Sequence, residues 1–407
     1  MKTNNLTTSY TTERILSIDM LRGVAVLGIL ILNIQSFSMI FTAYINPTAY
    51  GDLNGLNLWV WILSHILASE KFLSIFSLLF GAGIILMYER RKQEGKAPGL
   101  LQYYRLFWLF IFGMLHAYLI WYGDILVTYS LCGAFVYLFR KMKPRGLLIL
   151  ASFLFILPAL FNIFSGATMS YWPEAQLEGT REFWQPNKEN IDWELQAMRG
   201  RFSEQMQVRG QHALMMQTFL FFSSFFWRIS ALMLLGMALF KTGVLQACKS
   251  KAYYIRMAAI GLIGGYGLST YGVWELITRQ WSFEYALFFG YLPNYFASVM
   301  VALGYVALIM LVTQSRSFTS FKRTLSAVGR MAFSNYILMS LIASLLFYGH
   351  GLALFGKVTR LQQMLITLII WALILFISPL WLKHFRYGPL EWLWRCLSYH
   401  KKLPFKR

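Results

Sequence analysis

Between Met20 and Phe41 the chain is apolar almost without interruption and contains no proline, yet Asp19 and Arg22 stand at its entrance and Asn33 lies deep inside it. A run of this length has to cross a bilayer, because only a helix satisfies every backbone N–H and C=O within itself away from water. Ionisable groups inside such a run are costly and therefore mark function by default. Asp19 and Arg22 are three residues apart, share a helix face and can pair. Asn33 follows Asp19 by fourteen residues, about 21 Å along the axis. One helix thus offers a charged pair near one membrane face and an amide near the other.

The remaining sequence repeats this theme. Of 407 residues, 57% are hydrophobic and 13% charged, against about 25% charged in soluble domains. The formal net charge of +20 sits in short loops between apolar runs, as the positive-inside rule produces, which argues against nucleic acid as a partner. Cys132, Cys248 and Cys396 are scattered and have neither a disulfide pattern nor metal-ligand spacing. The first apolar run exceeds a signal-peptide core and is read as an uncleaved span.

Apolar periodicity predicts an all-α polytopic bundle of about ten transmembrane helices: 15–41, 70–88, 102–122, 125–139, 146–165, 213–240, 254–277, 289–314, 327–348 and 361–382. Residues 1–407 then form a single integral membrane domain. With both termini cytoplasmic, 26 of the 37 Lys and Arg fall on the inner side and 8 on the outer. The expected location is the plasma membrane. An outer loop, 166–212, places Ile191, Leu195, Met198, Phe202 and Met206 at helical spacing, which predicts an amphipathic helix covering the outer surface. The tail, 384–407, reads as a basic amphipathic cytoplasmic helix opening at Gly388-Pro389 and anchored at the lipid interface. Gly261-x-x-x-Gly265 predicts a close helix crossing.

Candidate chemistry concentrates towards the outer half. His116 ends the third span and Asp124 opens the fourth across a tight turn, so the two can meet. A carboxylate that orients an imidazole raises its basicity, as a general base requires; the same pair also suits a bond that staples two helices. Glu70-Lys71 reads as an interface marker whose side chains snorkel to water. Arg228 is too deep to snorkel and calls for an anionic partner: Asp124, Glu70, Glu275 or a substrate group. Arg105 and Arg140 are accounted for by the positive-inside rule, and Ser334 and Asn335 by bonds to a neighbouring helix.

Five ordered motifs carry a resemblance over the whole chain. They are Ile18-Asp19-Met-Leu21-Arg22-Gly23-Val-Ala25; Glu70-Lys-Phe72 with Phe76-Ser-Leu-Leu-Phe80-Gly81-Ala-Gly83; Gly113-Met-Leu-His116 with Trp121-Tyr-Gly123-Asp124; Gly329-Arg330-Met-Ala332 with Asn335-Tyr336; and Gly388-Pro-Leu-Glu391-Trp-Leu-Trp394-Arg395. Together they resemble the YeiB-type family of uncharacterised bacterial membrane proteins (domain of unknown function 418). The first motif is also similar to the opening helix of transmembrane acyltransferases that modify bacterial surface sugars. There an Asp-x-Leu-Arg-Gly-x-Ala pattern is followed on the same helix by a histidine thought to be catalytic. Here Asn33 takes that position, and His116 is the available replacement.

Two readings follow. In the first, an acyl group passes from cytoplasmic acyl-CoA to an extracytoplasmic glycan or lipid acceptor. His116 and Asp124 supply the base, Asp19 and Arg22 hold the donor phosphates, and Asn33, Glu70 and Arg228 line the substrate path; no bound cofactor or metal is expected. In the second, the buried charges form the path of a carrier or exporter of a small solute or lipid-linked intermediate. The sequence shows no internal repeat and no evident broken helix, which weighs against that carrier. A scaffold whose polar groups only lock helices together is the third possibility.

Overall fold

The computed structural model describes residues 15–407, so the polar lead 1–14 and the placement expected for the N-terminus lie outside the described residues. The described chain folds entirely into helices: α1 (Leu16–Ser38), α2 (Phe41–Ile45), α3 (Gly55–Leu67), α4 (Lys71–Gln93), α5 (Gly99–Leu119), α6 (Leu126–Tyr137), α7 (Pro144–Thr168), α8 (Glu174–Trp184), α9 (Lys188–Arg199), α10 (Phe202–Gln217), α11 (Phe226–Lys241), α12 (Lys251–Ala259), α13 (Gly265–Thr278), α14 (Phe283–Tyr285), α15 (Leu292–Gln314), α16 (Thr319–Arg330), α17 (Ala332–Phe347), α18 (Arg360–His384) and α19 (Pro389–Tyr399). All ten expected segments coincide with helix. Among the described residues, six stretches are long and apolar enough to cross a membrane, or seven if α16 and α17 form one broken span. The helix in 125–139 is the short α6, whose twelve residues cover about 18 Å, less than the hydrocarbon thickness.

Helix α1 is the axis of the bundle and packs against α4, α15, α16, α17 and α18. Leu21, Ala25, Val26, Leu30, Ile34 and Phe37 are all buried, so α1 is apolar around most of its girth rather than along one stripe. Two glycine crossings set how closely its neighbours approach. A Cβ added at Gly329 would lie 1.8 Å from the Asp19 carbonyl oxygen, and one at Gly23 would lie 2.2 Å from that of Leu325. Likewise Gly81 and Gly236 bring α4 and α11 into backbone contact. The Gly261/Gly265 pair does the same against Met300, Val301 and Gly304 of α15, as the motif predicts. Because the α1–α16 contact is backbone on backbone, Gly329→Ala should lower stability by at least the ~1–3 kcal/mol of ordinary overpacking. Thermal unfolding in detergent measures this, and a wild-type midpoint would refute the crossing.

Several spans are interrupted, most of them contrary to the unbroken helices expected from sequence. The stretch Gly55–Gln93 breaks between α3 and α4 at the expected start of the second span, residue 70, where Glu70 takes a left-handed backbone (φ 65°). α16 and α17 meet at 77°, so residues 327–330 of the ninth expected segment belong to α16. π-helical turns at Phe221–Phe225, Ile260–Gly264 and Ala286–Gly290 lead into α11, α13 and the approach to α15. Nor does the outer segment form one amphipathic helix through Ile191 and Met206. The chain breaks at Gly200-Arg201, where Glu204 accepts the Arg201 N–H at 2.7 Å and opens α10.

The tail helix α19 docks on the bundle rather than resting on lipid alone. Trp394 Nε1–H donates to the Arg105 carbonyl at 2.9 Å, and Glu391 accepts the Phe333 and Ser334 N–H groups at the start of α17. Burial raises the Glu391 carboxyl above the usual carboxylate range, against the lowering effect of these donors.

Candidate functional site

At the C-terminal end of α5, His116 Nδ1 lies 2.8 Å from Asp124 Oδ1, and both side chains are only 1% exposed. Asp124 Oδ2 accepts the Val127 N–H at 2.8 Å, so the carboxylate also serves the first turn of α6. With Asp124 ionised and the imidazole neutral, the bridging proton sits on His116 Nδ1 and leaves Nε2 with its lone pair. That Nε2 is buried and has no hydrogen-bond partner among the described residues. The ring packs 5.0 Å from Tyr336 of α17 and 6.2 Å from Trp121, which itself stacks on Phe37 of α1 at 4.2 Å.

Gly113, one turn before His116, makes this geometry possible. A Cβ there would sit 2.6 Å from Val127 N and 2.9 Å from Asp124 Oδ2. Gly113→Ala should therefore push the carboxylate off the imidazole, lowering the melting midpoint and removing any activity that depends on the pair. An unchanged midpoint and activity would show that α6 yields at no cost.

Helices α9 and α10 close over this end. Glu194 of α9 accepts the Phe41 N–H at 2.9 Å and approaches His212 at 3.5 Å; His212 stacks on Phe41 at 4.5 Å. Arg209 of α10, fully buried, donates to the Leu119 and Ile120 carbonyls at 3.2 and 3.0 Å. It caps the orphan carbonyls of α5 beside His116. His350 Nδ1–H in the α17–α18 connection donates to Gln205 Oε1 at 2.9 Å, and burial, with Arg209 nearby, holds its ring below the usual histidine range.

A second polar cluster lies where α3 breaks into α4. Glu70 pairs with Arg228, whose Nη2 also donates to Ser298 at 2.8 Å and whose guanidinium covers the Tyr295 ring at 4.7 Å. Glu70 is thus the partner found among those the sequence proposed. Lys71 does not snorkel: it is fully buried and donates to the His65 carbonyl at 2.8 Å, to Ser269 at 3.3 Å and to Asn294. Lys71 thus caps the C-terminal end of α3 through one of its last carbonyls. Glu275 pairs with the exposed Arg279 at 2.7 Å instead of reaching the interior.

At the far end of α1, Arg22 Nη1 lies 3.4 Å from Asp19 Oδ1, with Arg22 about a third exposed. Asn33 is half-buried and makes no side-chain hydrogen bond among the described residues. Six of the seven expected residues therefore form three pairs, His116 with Asp124, Glu70 with Arg228 and Asp19 with Arg22, while Asn33 joins none of them. Asn335 donates to Ser378 at 3.0 Å, a helix–helix bond of the kind expected. A mostly apolar surface recess lined by Leu157, Phe161, Thr218, Phe219, Phe222, Ser223 and Trp227 contains none of the seven expected residues. Among the described residues no cluster of His, Cys, Asp and Glu could hold a metal ion.

Long apolar helices around a central α1, with ionisable pairs enclosed at both ends, define an α-helical integral membrane protein. The chain belongs to the YeiB family: residues 239–401 match the model "Protein of unknown function (DUF418)". It is 30% identical to the uncharacterized protein YeiB of Escherichia coli (strain K12), over 95% of this chain and 96% of that one. It is 32% identical to the uncharacterized protein YxaH of Bacillus subtilis (strain 168), over 97% of each. An uncharacterized 39.9 kDa protein from the amylase 3' region of Bacillus acidopullulyticus is 26% identical over 96% of each chain. No solved structure matches.

Proposed function

We propose that the protein is a multi-pass acyltransferase of the bacterial plasma membrane, which moves an acyl group from cytoplasmic acyl-CoA to a hydroxyl or amine of an extracytoplasmic glycan or lipid. The supporting observation is the buried His116–Asp124 pair with its unpartnered Nε2. The acceptor attacks the thioester carbonyl while His116 Nε2 takes its proton. The C–S bond then breaks, and the thiolate leaves as free coenzyme after His116 returns that proton. Asp124 holds the ring in the required tautomer and stabilises the imidazolium. Asn33, free on the same side of α1, offers its amide to the acceptor.

The roles at the other end and in the second cluster follow from geometry. Arg22, with its rotamer set by Asp19, binds donor phosphates. Arg22 and Phe37 are separated by about 22 Å along α1, so the donor must reach the dyad by an extended arm. Arg228 already has Glu70 and Ser298, so it orders the α3–α4 break rather than serving a substrate. Since the dyad is sealed, turnover requires the α9–α10 cover to lift.

A carrier is the second reading, favoured by the broken α3–α4 span with Lys71 and Arg228 buried beside it. Reconstitution separates the two. Liposomes holding the protein receive labelled acetyl-CoA on the side of the basic loops, and label is followed into sugar acceptors on the other side. Label transfer is expected, and it should persist in Asn33→Ala at reduced rate. Solute flux without label transfer, from folded protein, would replace the enzyme with the carrier.

A further inference from the structure

The end of the bundle that carries Asp19 gathers more positive charge than loop topology requires. Arg22 of α1 reaches over α4 at Gly83, where an added Cβ would lie 3.8 Å from its Nη2. One turn further along the same face of α4, Met87 Sδ accepts from Arg105 Nη1, so the two guanidinium groups lie about one helical turn apart. The docked tail brings a third. Trp394 lies under Arg105, 4.6 Å from its guanidinium carbon, and the next residue, Arg395, stacks on Tyr387 at 4.8 Å. Arg105 is within electrostatic reach of both Arg22 and Arg395.

Among the described residues one carboxylate, Asp19, is paired with any of these three arginines. Among the described residues the ion pairs include Asp19 with Arg22, but none with Arg105 or Arg395. The nearest tail carboxylate, Glu391, is turned away to cap α17. Like charges converging without an anion cost free energy, and residues placed only by the membrane potential would spread into water. Arginine forks also match phosphate oxygens two at a time, and three of them against one carboxylate fit a ligand with more than one phosphate charge.

We propose that Arg22, Arg105 and Arg395 form a clamp for the phosphate groups of a ligand, closed by the docking of α19 on α5. This deepens the acyl-transfer reading by naming what holds the donor, and it rests on that reading only for the donor's identity. Phosphate of this kind also occurs in lipid headgroups, so the test separates the two sources.

Full-length protein in nanodiscs of neutral phosphatidylcholine is titrated with coenzyme A, and thermal stability is compared in discs containing phosphatidylglycerol. Coenzyme A is expected to bind, with Arg395→Ala and Arg105→Lys each weakening it about ten-fold, one charge-assisted contact's worth. Arg395 is exposed, so its variant should melt as wild type does and report the clamp alone. Arginine-dependent stabilisation by phosphatidylglycerol without coenzyme A binding supports the clamp and assigns it to lipid. Affinities unchanged in both variants, or no response to either phosphate source, would overturn it. Arginine-dependent coenzyme A binding with no label transfer would instead remove the acyltransferase reading and leave the clamp standing.

Discussion

His116→Asn should fold and lose acyl transfer by about 10²–10⁴-fold, the range a positioned general base contributes. The asparagine amide can still donate towards Asp124 Oδ1, so the carboxylate keeps a partner, but nothing replaces the Nε2 lone pair. His116→Ala should lose as much activity and also some stability, because it strands a carboxylate that is 1% exposed. Asp124→Asn provides the complementary test. Its amide would donate to Nδ1 and move the ring proton to Nε2, so transfer should fall although the histidine remains. Label-transfer rates and melting midpoints for the three variants check this, and an active, well-folded His116→Asn would exclude His116 as the base.

The second large effect is expected at the α3–α4 break. Removing one member of a buried ion pair costs about 3–5 kcal/mol when the survivor is left without compensation. Here the members are unequal: Arg228 is 3% exposed and Glu70 34%. Glu70→Gln leaves a sealed guanidinium without counter-charge and should approach the upper cost. Arg228→Met leaves a carboxylate that water can reach, so its cost should be smaller. The double variant should fall below Glu70→Gln alone. Thermal or denaturant unfolding in detergent ranks the three; equal losses for both single variants would show that the pair is solvated from both sides.

How much of this was legible in the sequence depends on where each residue's partner comes from. Charges inside apolar runs stood out at once, so α1, the His116–Asp124 pair and Arg228 could be singled out, and the last two partners lie in regular places. His116 and Asp124 are eight residues apart across a turn, and Glu70 was one of three carboxylates near the right depth. Arg209 and Arg360 were passed over because their oxygen partners are backbone carbonyls, and Lys71 was misread because its partners are a carbonyl of α3 and the neutral side chains of Ser269 and Asn294. Arg360, for example, donates to the Asp52, Pro47 and Tyr50 carbonyls, and no side-chain pattern announces a carbonyl. The break at Glu70 falls at the expected start of the second span, because Ser69-Glu70-Lys71 interrupts the apolar run; what the sequence does not announce is that Asn294 of α15 holds it through Ser69 and Lys71. The motif glycines gave no sign of their purpose until the crossings of Gly23 with α16 and Gly113 with Asp124 were seen.

The proton on the His116 ring tests the central claim most directly. With ¹⁵N-labelled histidine in the purified protein, and His116 identified by its loss in His116→Asn, NMR reads which ring nitrogen is protonated in the neutral imidazole. The account predicts a proton on Nδ1, shared with Asp124, and a bare Nε2. A neutral ring protonated at Nε2 would contradict it, because the pair would then be a staple between α5 and α6 with no base to offer.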